Sequence, residues 1–586
     1  MAAIRSAFIC VNLRLAFASN RFTSYDATAM KFLRPLLAAA LLVIVLVAVL
    51  LWWSIPTKVD MADYAPADSL VYIEFNNPAA VVQAIQHSNL WQAAAPITKS
   101  KPASQNRFAA AAARAGLGPL PAVLFARAQV ALTMISMNTF EEEDSLKVRP
   151  EFALIIETHT SNWRIKPAAI EAIKQLAIFS YGTSMCTERR ADADYIECSV
   201  TGSDRKIVGA VDGSLVVIGN SDNAVRTCLE TRRGVRPSIH SDAEMVKVRA
   251  SVSSDKTLGF GYVSPANSAT LFSWVAPLII LQSPGDQQLQ QLLAVSAGKV
   301  LRGVAWTASS APQGIEDRFL FSLDPGVVSR LQPAFTESEP DESFWQFVPE
   351  GFQSLTIYRN KAPATAWSSL SSAVAFKLDA VPAALFGTLL KSSLSVYGIS
   401  NPRDALTALN PPLLTLKPTE GAAEAILVAR VNDPERLKKS LADGEILEGL
   451  DSNPDPKKEF AAVFVNDYVL LGKSENVRSS LAAIKTGVDA DPKKYQNYLN
   501  QASNEKEGVI VTFTNDEERV NDFLSTLVQL QGRKLSAQQL DSLHNLTRTA
   551  GIAATETKLN AFGIERRTRS AFGQFSTLTS LLQSGR

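Results

Sequence analysis

V-N-D-Y-V-L-L-G-K-S-E-N-V-R-S-S-L, from Val465 to Leu481, reads as a strand, a turn and the start of a helix. An earlier stretch, Val211 to Leu229, has the same form: V-D-G-S-L-V-V-I-G-N-S-D-N-A-V-R-T-C-L. Apolar β-branched runs give way at a polar turn to residues at helical spacing in both. The resemblance continues downstream. Q-Q-L-Q-Q-L at Gln287–Leu292 is answered by Q-Q-L-D-S-L at Gln538–Leu543. G-V-A-W-T at Gly303–Thr307 is answered by G-I-A-A-T at Gly551–Thr555, and G-I-E-D-R at Gly314–Arg318 by G-I-E-R-R at Gly563–Arg567. Their shared order makes internal duplication the expectation.

Working outward, Ser69–Phe75 opens the first copy as a strand, and Ser354–Tyr358 opens the second. Phe152–Thr158 and Ala425–Val431 are further apolar strands. Cys186 and Cys198 lie symmetrically about a turn at Asp192, in a hairpin near 184–200 that reads as an insertion in the first copy. Strands that are adjacent and hairpin-linked, interleaved with helices, predict an α+β fold. The expected plan is one N-terminal transmembrane helix followed by two tandem duplicated domains, each a mainly antiparallel sheet with helices packed on it. The boundaries are 1–30 (N-terminal segment), 31–55 (anchor), 60–323 (first repeat), 324–350 (a proline- and acid-rich linker) and 351–586 (second repeat).

The anchor is read from Pro35–Trp53, nineteen apolar residues without a charge. With its flanks such a run can span a hydrocarbon core of about 30 Å. Lys31 and Arg34 precede it and Trp52-Trp53 close it, which predicts an N-terminus in the cytoplasm. The expected location is the bacterial cytoplasmic (inner) membrane, with residues from about 56 onward outside. The membrane would then be a partner through residues 35–53. Met30-Lys31 is an alternative start.

The 586 residues include 46% hydrophobic and 20% charged residues, the balance of a folded chain. A net charge of +1, from 58 basic against 57 acidic residues, lacks the basic excess of a nucleic-acid binder. No nucleic-acid partner, cofactor or metal site is expected. His159 follows a strand carrying Glu157, a place where a general base can sit, but a surface histidine is the simpler reading. His87, His240 and His544 lack partners at metal-ligand spacing. No catalytic residue is assigned. Cys186 and Cys198 would face each other across the hairpin, and a disulfide is expected there. Arg232-Arg233-Arg236 and Arg566-Arg567-Arg569 read as solvated faces, with anionic lipid or another protein as the alternative. A helix through Leu271, Trp274 and Val275 reads as buried rather than as a second span.

Three stretches carry a family resemblance: A-P-A-D-S-L-V-Y-I-E-F at Ala65–Phe75, the V-x-D-P-E-R-L turn at Val431–Leu437, and V-N-D-Y-V-L-L-G-K-S at Val465–Ser474. Together they resemble the bacterial envelope family described only as domain of unknown function 3352. That resemblance covers most of residues 60–586 and implies a membrane-tethered bacterial protein with no assigned activity. It carries over no functional residue.

The functional expectation is a single-pass, membrane-anchored, extracytoplasmic and non-enzymatic scaffold that binds an envelope protein. The alternatives are a carrier of lipid or another small apolar ligand, and a hydrolase whose catalytic set assembles only in space.

Overall fold

A computed structural model describes residues 58–97, 128–142, 145–181, 185–200, 205–264, 299–311, 314–338, 343–349, 352–418, 425–486, 508–530 and 535–577. The described residues from Asp60 onward belong to one compact unit. Its strands in the first half are β1 (Val71–Phe75), β2 (Gln129–Glu142), β3 (Ser145–Glu157), β4 (Met185–Arg190), β5 (Asp194–Ser199), β6 (Lys206–Asp212), β7 (Leu215–Gly219), β8 (Thr257–Val263), β9 (Leu301–Ala311) and β10 (Gly314–Leu323). The second half supplies β11 (Ser354–Tyr358), β12 (Leu409–Lys417), β13 (Ile426–Val431), β14 (Glu445–Glu448), β15 (Phe460–Val465), β16 (Tyr468–Lys473), β17 (Ile510–Asn515), β18 (Ile552–Asn560) and β19 (Gly563–Ser570).

All nineteen join one sheet. Following the pairings from edge to edge, the order is β4-β5-β6-β7-β3-β2-β1-β8-β9-β10, then β19-β18-β17-β11-β12-β13-β16-β15-β14. Both halves therefore run in the same order outward from a central seam, where β10 pairs antiparallel with β19 over eight consecutive residue pairs. At its middle Arg318 faces Arg567, equivalent positions of the two G-I-E motifs. The opening stretches form equivalent hairpins, β6–β7 and β15–β16, each turning through a two-residue loop whose first residue has positive φ (Gly213, 65°; Asn466, 53°).

The expectation of two tandem domains with separate sheets is corrected by this seam. A sheet edge presents unpaired N–H and C=O groups, and pairing β10 with β19 satisfies one edge of each half at once. The outer ends differ. The first half finishes in the β4–β5 hairpin, whereas in the second β14 adds parallel to β15. Within 324–350, the described residues 324–338 and 343–349 are folded rather than a loose connection. Phe344, Trp345 and Phe347 are buried in the second half's core with Leu355, Ile357 and Phe513, because aromatic side chains placed beside an open apolar sheet face bury there. β2 runs on through Glu141 to Glu142, held by pairing with Ser145–Pro150.

Among the described residues no helix is long and apolar enough to cross a membrane. The twenty-residue helix Asn162–Tyr181 carries Arg164, Lys166, Glu171 and Lys174. The expected anchor at Pro35–Trp53 lies outside the described residues. The single-pass architecture and the inner-membrane location are therefore not supported.

Candidate functional site

β1 alternates between half-buried and buried positions, and puts Tyr72 and Glu74 on its buried face. The register places Tyr72 opposite Thr133 and Tyr262, and Glu74 opposite Ala131 and Phe260. The second half offers an internal comparison. There β11 puts Leu355 between Leu416 and Phe513, and Ile357 between Leu414 and Val511, all in one apolar core. The same rows of the sheet are thus hydrocarbon in one half and hydrogen-bonding in the other. A buried carboxylate costs free energy unless it is paired, so Glu74 has to be answered by specific partners.

Those partners come from three directions. Tyr72 Oη donates to Glu74 Oε2 at 2.7 Å, and Arg249 Nη2 donates to Glu74 Oε1 at 2.5 Å. Arg249 lies on the helix Ala243–Val252, whose first turn Asp242 caps while also accepting from Tyr262 Oη at 3.1 Å. Through Nη1 the same guanidinium reaches both oxygens of Asp60, at 2.8 and 2.9 Å. Asp60 caps the 3-10 turn Met61–Tyr64 through the Ala62 N–H and has His240 Nδ1 at 3.0 Å. A second branch runs along the strand ends. Asn76 Nδ2 donates to Glu74 Oε1 at 3.3 Å, Gln129 Nε2 donates to Asn76 Oδ1 at 2.6 Å, and His159 Nε2 donates to Gln129 Oε1 at 2.9 Å. The His159 backbone N–H, at a positive φ of 52°, donates to Glu157 Oε1 at 2.9 Å.

Burial is the largest influence on Glu74 and lifts its carboxyl above the ordinary range, with Arg249 and Tyr72 pulling it back only in part. Burial also pushes Asp60 up, but hydrogen bonds from Arg249 and the Ala62 N–H outweigh it and hold that carboxyl low. Burial, then the Glu74 charge, drives the Tyr72 phenol well above its usual value. Both oxygens of Glu74 and both of Asp60 are engaged within the protein. The cluster fastens the turn at residues 60–64 and the helix Ala243–Val252 to β1.

Glu157 and His159 thus meet through the backbone of His159, and the ring is turned towards Gln129. Asp60, Tyr72, Glu74 and Arg249 belong to no motif that marks them as a site in the sequence. The signal was there in S-L-V-Y-I-E-F, since the period of two puts a glutamate and a tyrosine on the same face of a buried strand.

Cys186 and Cys198 stand directly opposite each other in β4–β5 and are joined by a disulfide. Cys228 is buried in the helix Asp222–Arg232, where burial pushes its thiol up to about 12. His87 Nδ1 donates to the Gln83 carbonyl at 2.6 Å. Among the described residues no group of three or more His, Cys, Asp or Glu side chains could hold a metal ion. The arginine clusters make internal ion pairs. Arg233 meets Asp192 and Asp212, and Arg236 meets Glu230 at 2.7 Å. Arg567 and Arg569 pair across the seam with Glu316, at 3.8 and 2.8 Å, and Arg567 also meets Glu565 of its own strand at 3.2 Å.

A second buried carboxyl lies beside that seam. Asp317, on β10, accepts from Trp306 Nε1 at 2.8 Å and from the Gln574 backbone N–H at 2.9 Å, so it pins the C-terminal segment to the sheet. Burial pushes it from 3.8 to about 6, against the pull of those two hydrogen bonds. A raised folded value means that the folded state holds the proton more tightly than the unfolded one. The resulting stability is complete below pH 3.8 and is lost as pH rises through about 6. Wild type should therefore lose roughly 3 kcal/mol relative to Asp317→Asn across that window. Denaturant unfolding of both proteins at a series of pH values checks this. A difference that stays flat with pH would refute the protonation assigned to Asp317.

No family model, no curated protein and no solved structure matches this chain. The resemblance to the domain of unknown function 3352 family rests on its three sequence motifs alone.

Proposed function

We propose that the protein is a duplicated, rigid scaffold that binds another protein. The observation that carries this reading is the use to which the ionisable residues are put. In the Glu74 cluster and at the seam, buried carboxylates and arginines are engaged in joining elements of one continuous sheet. Groups spent on holding the body together favour a platform over a reaction centre, because a general acid or base needs a free position facing its substrate. The mirrored strand order supports the duplicated part of the reading. Exposed apolar side chains such as Trp163 (72%) and Met185 (66%) offer the sort of anchor that protein interfaces use.

Native mass spectrometry of the full-length protein, isolated gently from its own cells, tests this. The scaffold reading expects a protein companion at a fixed stoichiometry in independent preparations. A retained small apolar molecule without any protein companion would overturn it in favour of the carrier.

A further inference from the structure

The sheet face opposite the Glu74 cluster carries the reverse contrast between the halves. One cross-strand row runs through Gly259, Ala308 and Asp317 of the first half. Across the seam it continues as Thr568, Thr555, Thr512, Thr356 and Thr415. In the first half this face is hydrocarbon. Phe75 lies over Gly259, and Ile73, Trp306 and Phe319 pack with Val81 and Ala84 of the helix Pro78–His87. In the second half five neighbouring strands each present a hydroxyl instead. Threonine suits strands, and cross-strand pairs of it stabilise a sheet. The first half shows, however, that the duplicated fold does not demand threonines here.

Thr555 is 6% exposed, and Thr568, Thr512, Thr356 and Thr415 are half-buried. Thr356 and Thr512 share a hydrogen bond at 3.1 Å, as do Thr555 and Thr568 at 2.9 Å. Each pair spends one hydroxyl proton on itself and keeps the other, together with free lone pairs. The adjacent rows add Ser354 and Thr514 on one side, and Thr557 and the half-buried Tyr358 on the other. Beyond them the strands run into apolar clusters, with Leu559, Ile564 and Phe335 on one side and Phe572 and Phe523 on the other. The hydroxyls therefore form a polar strip bordered by packed side chains. At a strand spacing of about 4.8 Å the five threonines extend over roughly 19 Å.

The corners of the strip are basic. Lys417 stands opposite Ser354 at one end, and Arg566 opposite Thr557 at the other. Arg566 is exposed and Lys417 half-buried, and neither has an ion-pair partner among the described residues. Asp317 closes the row at the seam, buried, with its oxygens taken by Trp306 and the Gln574 N–H.

We propose that this strip binds a linear glycan carrying carboxylates, laid across the strands so that successive sugar rings meet successive threonines. Such a chain offers hydroxyls at every repeat, which an extended peptide or an acyl chain does not. Its ring-to-ring repeat is close to the strand spacing. Tyr358 gives the C–H face of a ring an aromatic neighbour, and Lys417 and Arg566 answer the carboxylates with charge-assisted hydrogen bonds.

Isothermal titration of the full-length protein with linear hexamers of galacturonic, mannuronic and glucuronic acid tests the site. At least one should bind saturably, and Thr356→Val combined with Thr512→Val should weaken it at least tenfold. That double variant keeps the β-branched shape and removes two hydroxyls, and unchanged amide protection in β11 and β17 establishes that it is folded. Lys417→Ala, a change at the rim, should weaken the same oligomer and reduce the salt dependence of its binding. No saturable binding of any of the three oligomers would overturn the proposal. So would full binding by the folded double variant, a salt dependence that Lys417→Ala leaves unchanged, or equal binding of an uncharged glucose hexamer.

Discussion

Gly563→Ala should unseat the seam. Gly563 opens β19 at a φ of 149°, and a Cβ there would overlap the Phe321 carbonyl of β10. Gly314 opens β10 at 157°, where a Cβ would overlap the Ser570 carbonyl of β19. Each strand of the pair thus begins with a glycine because the backbone of its partner passes too close for a side chain. A forced φ in this region costs about 1–3 kcal/mol, and overpacking against backbone adds about 1–3 more. The sum, roughly 2–6 kcal/mol, is a large part of an ordinary domain's stability. Gly314→Ala should cost about the same, since it makes the equivalent contact at the other end of the seam. Urea unfolding of the two variants is the check. A shift for one and none for the other would mean that the seam is not symmetric in energy.

Glu565→Ala is expected to cost about 3–5 kcal/mol, the range for removing one side of a buried ion pair. Glu565 is 1% exposed and accepts from Arg318 Nε and Nη2 at 2.7 and 2.9 Å, from Arg567 Nη2 at 3.2 Å and from Asn560 Nδ2 at 2.9 Å. Without the carboxylate, Arg318 faces Arg567 at the middle of the seam with its ion-pair partner gone, and Arg567 keeps Glu316 at 3.8 Å. Burial pushes Glu565 up, but Arg318 outweighs it and holds the carboxyl below its ordinary value. Its stabilisation is therefore present at neutral pH and lost as pH falls through the carboxylate range, opposite in sign to that of Asp317. The wild-type advantage over Glu565→Ala should shrink in acid. An advantage that is constant from neutral to acid pH would contradict the ion-pair assignment.

Much of the architecture can be read in the chain because its signals are local. The hairpins around Gly213 and Asn466 are announced by polar turn residues between apolar runs. The matched G-I-E motifs are likewise visible as repeats. Their purpose is not visible, because a strand's period of two says which face a residue occupies and nothing about which strand lies alongside. Eight in-register pairs joining residues far apart in sequence leave no local mark. The folded state of the described residues within 324–350 is hidden for a related reason. Three prolines and several acids in that stretch look like a linker, and the burial of Phe344 and Trp345 depends on a core built from the strands that follow. Glu74 shows the opposite failure. Its burial follows from strand alternation, but Asp60 and Arg249, which make that burial tolerable, come from distant parts of the chain.

Hydrogen exchange of the full-length protein at β10 (315–322) and β19 (563–570) tests the central claim most directly. If the two halves form one sheet, these backbone amides are interior ladder donors, and should be protected as strongly as those of the neighbouring β9 and β18. Fast exchange at both strands, with β9 and β18 protected, would mean two separate sheets with open edges and would contradict the account.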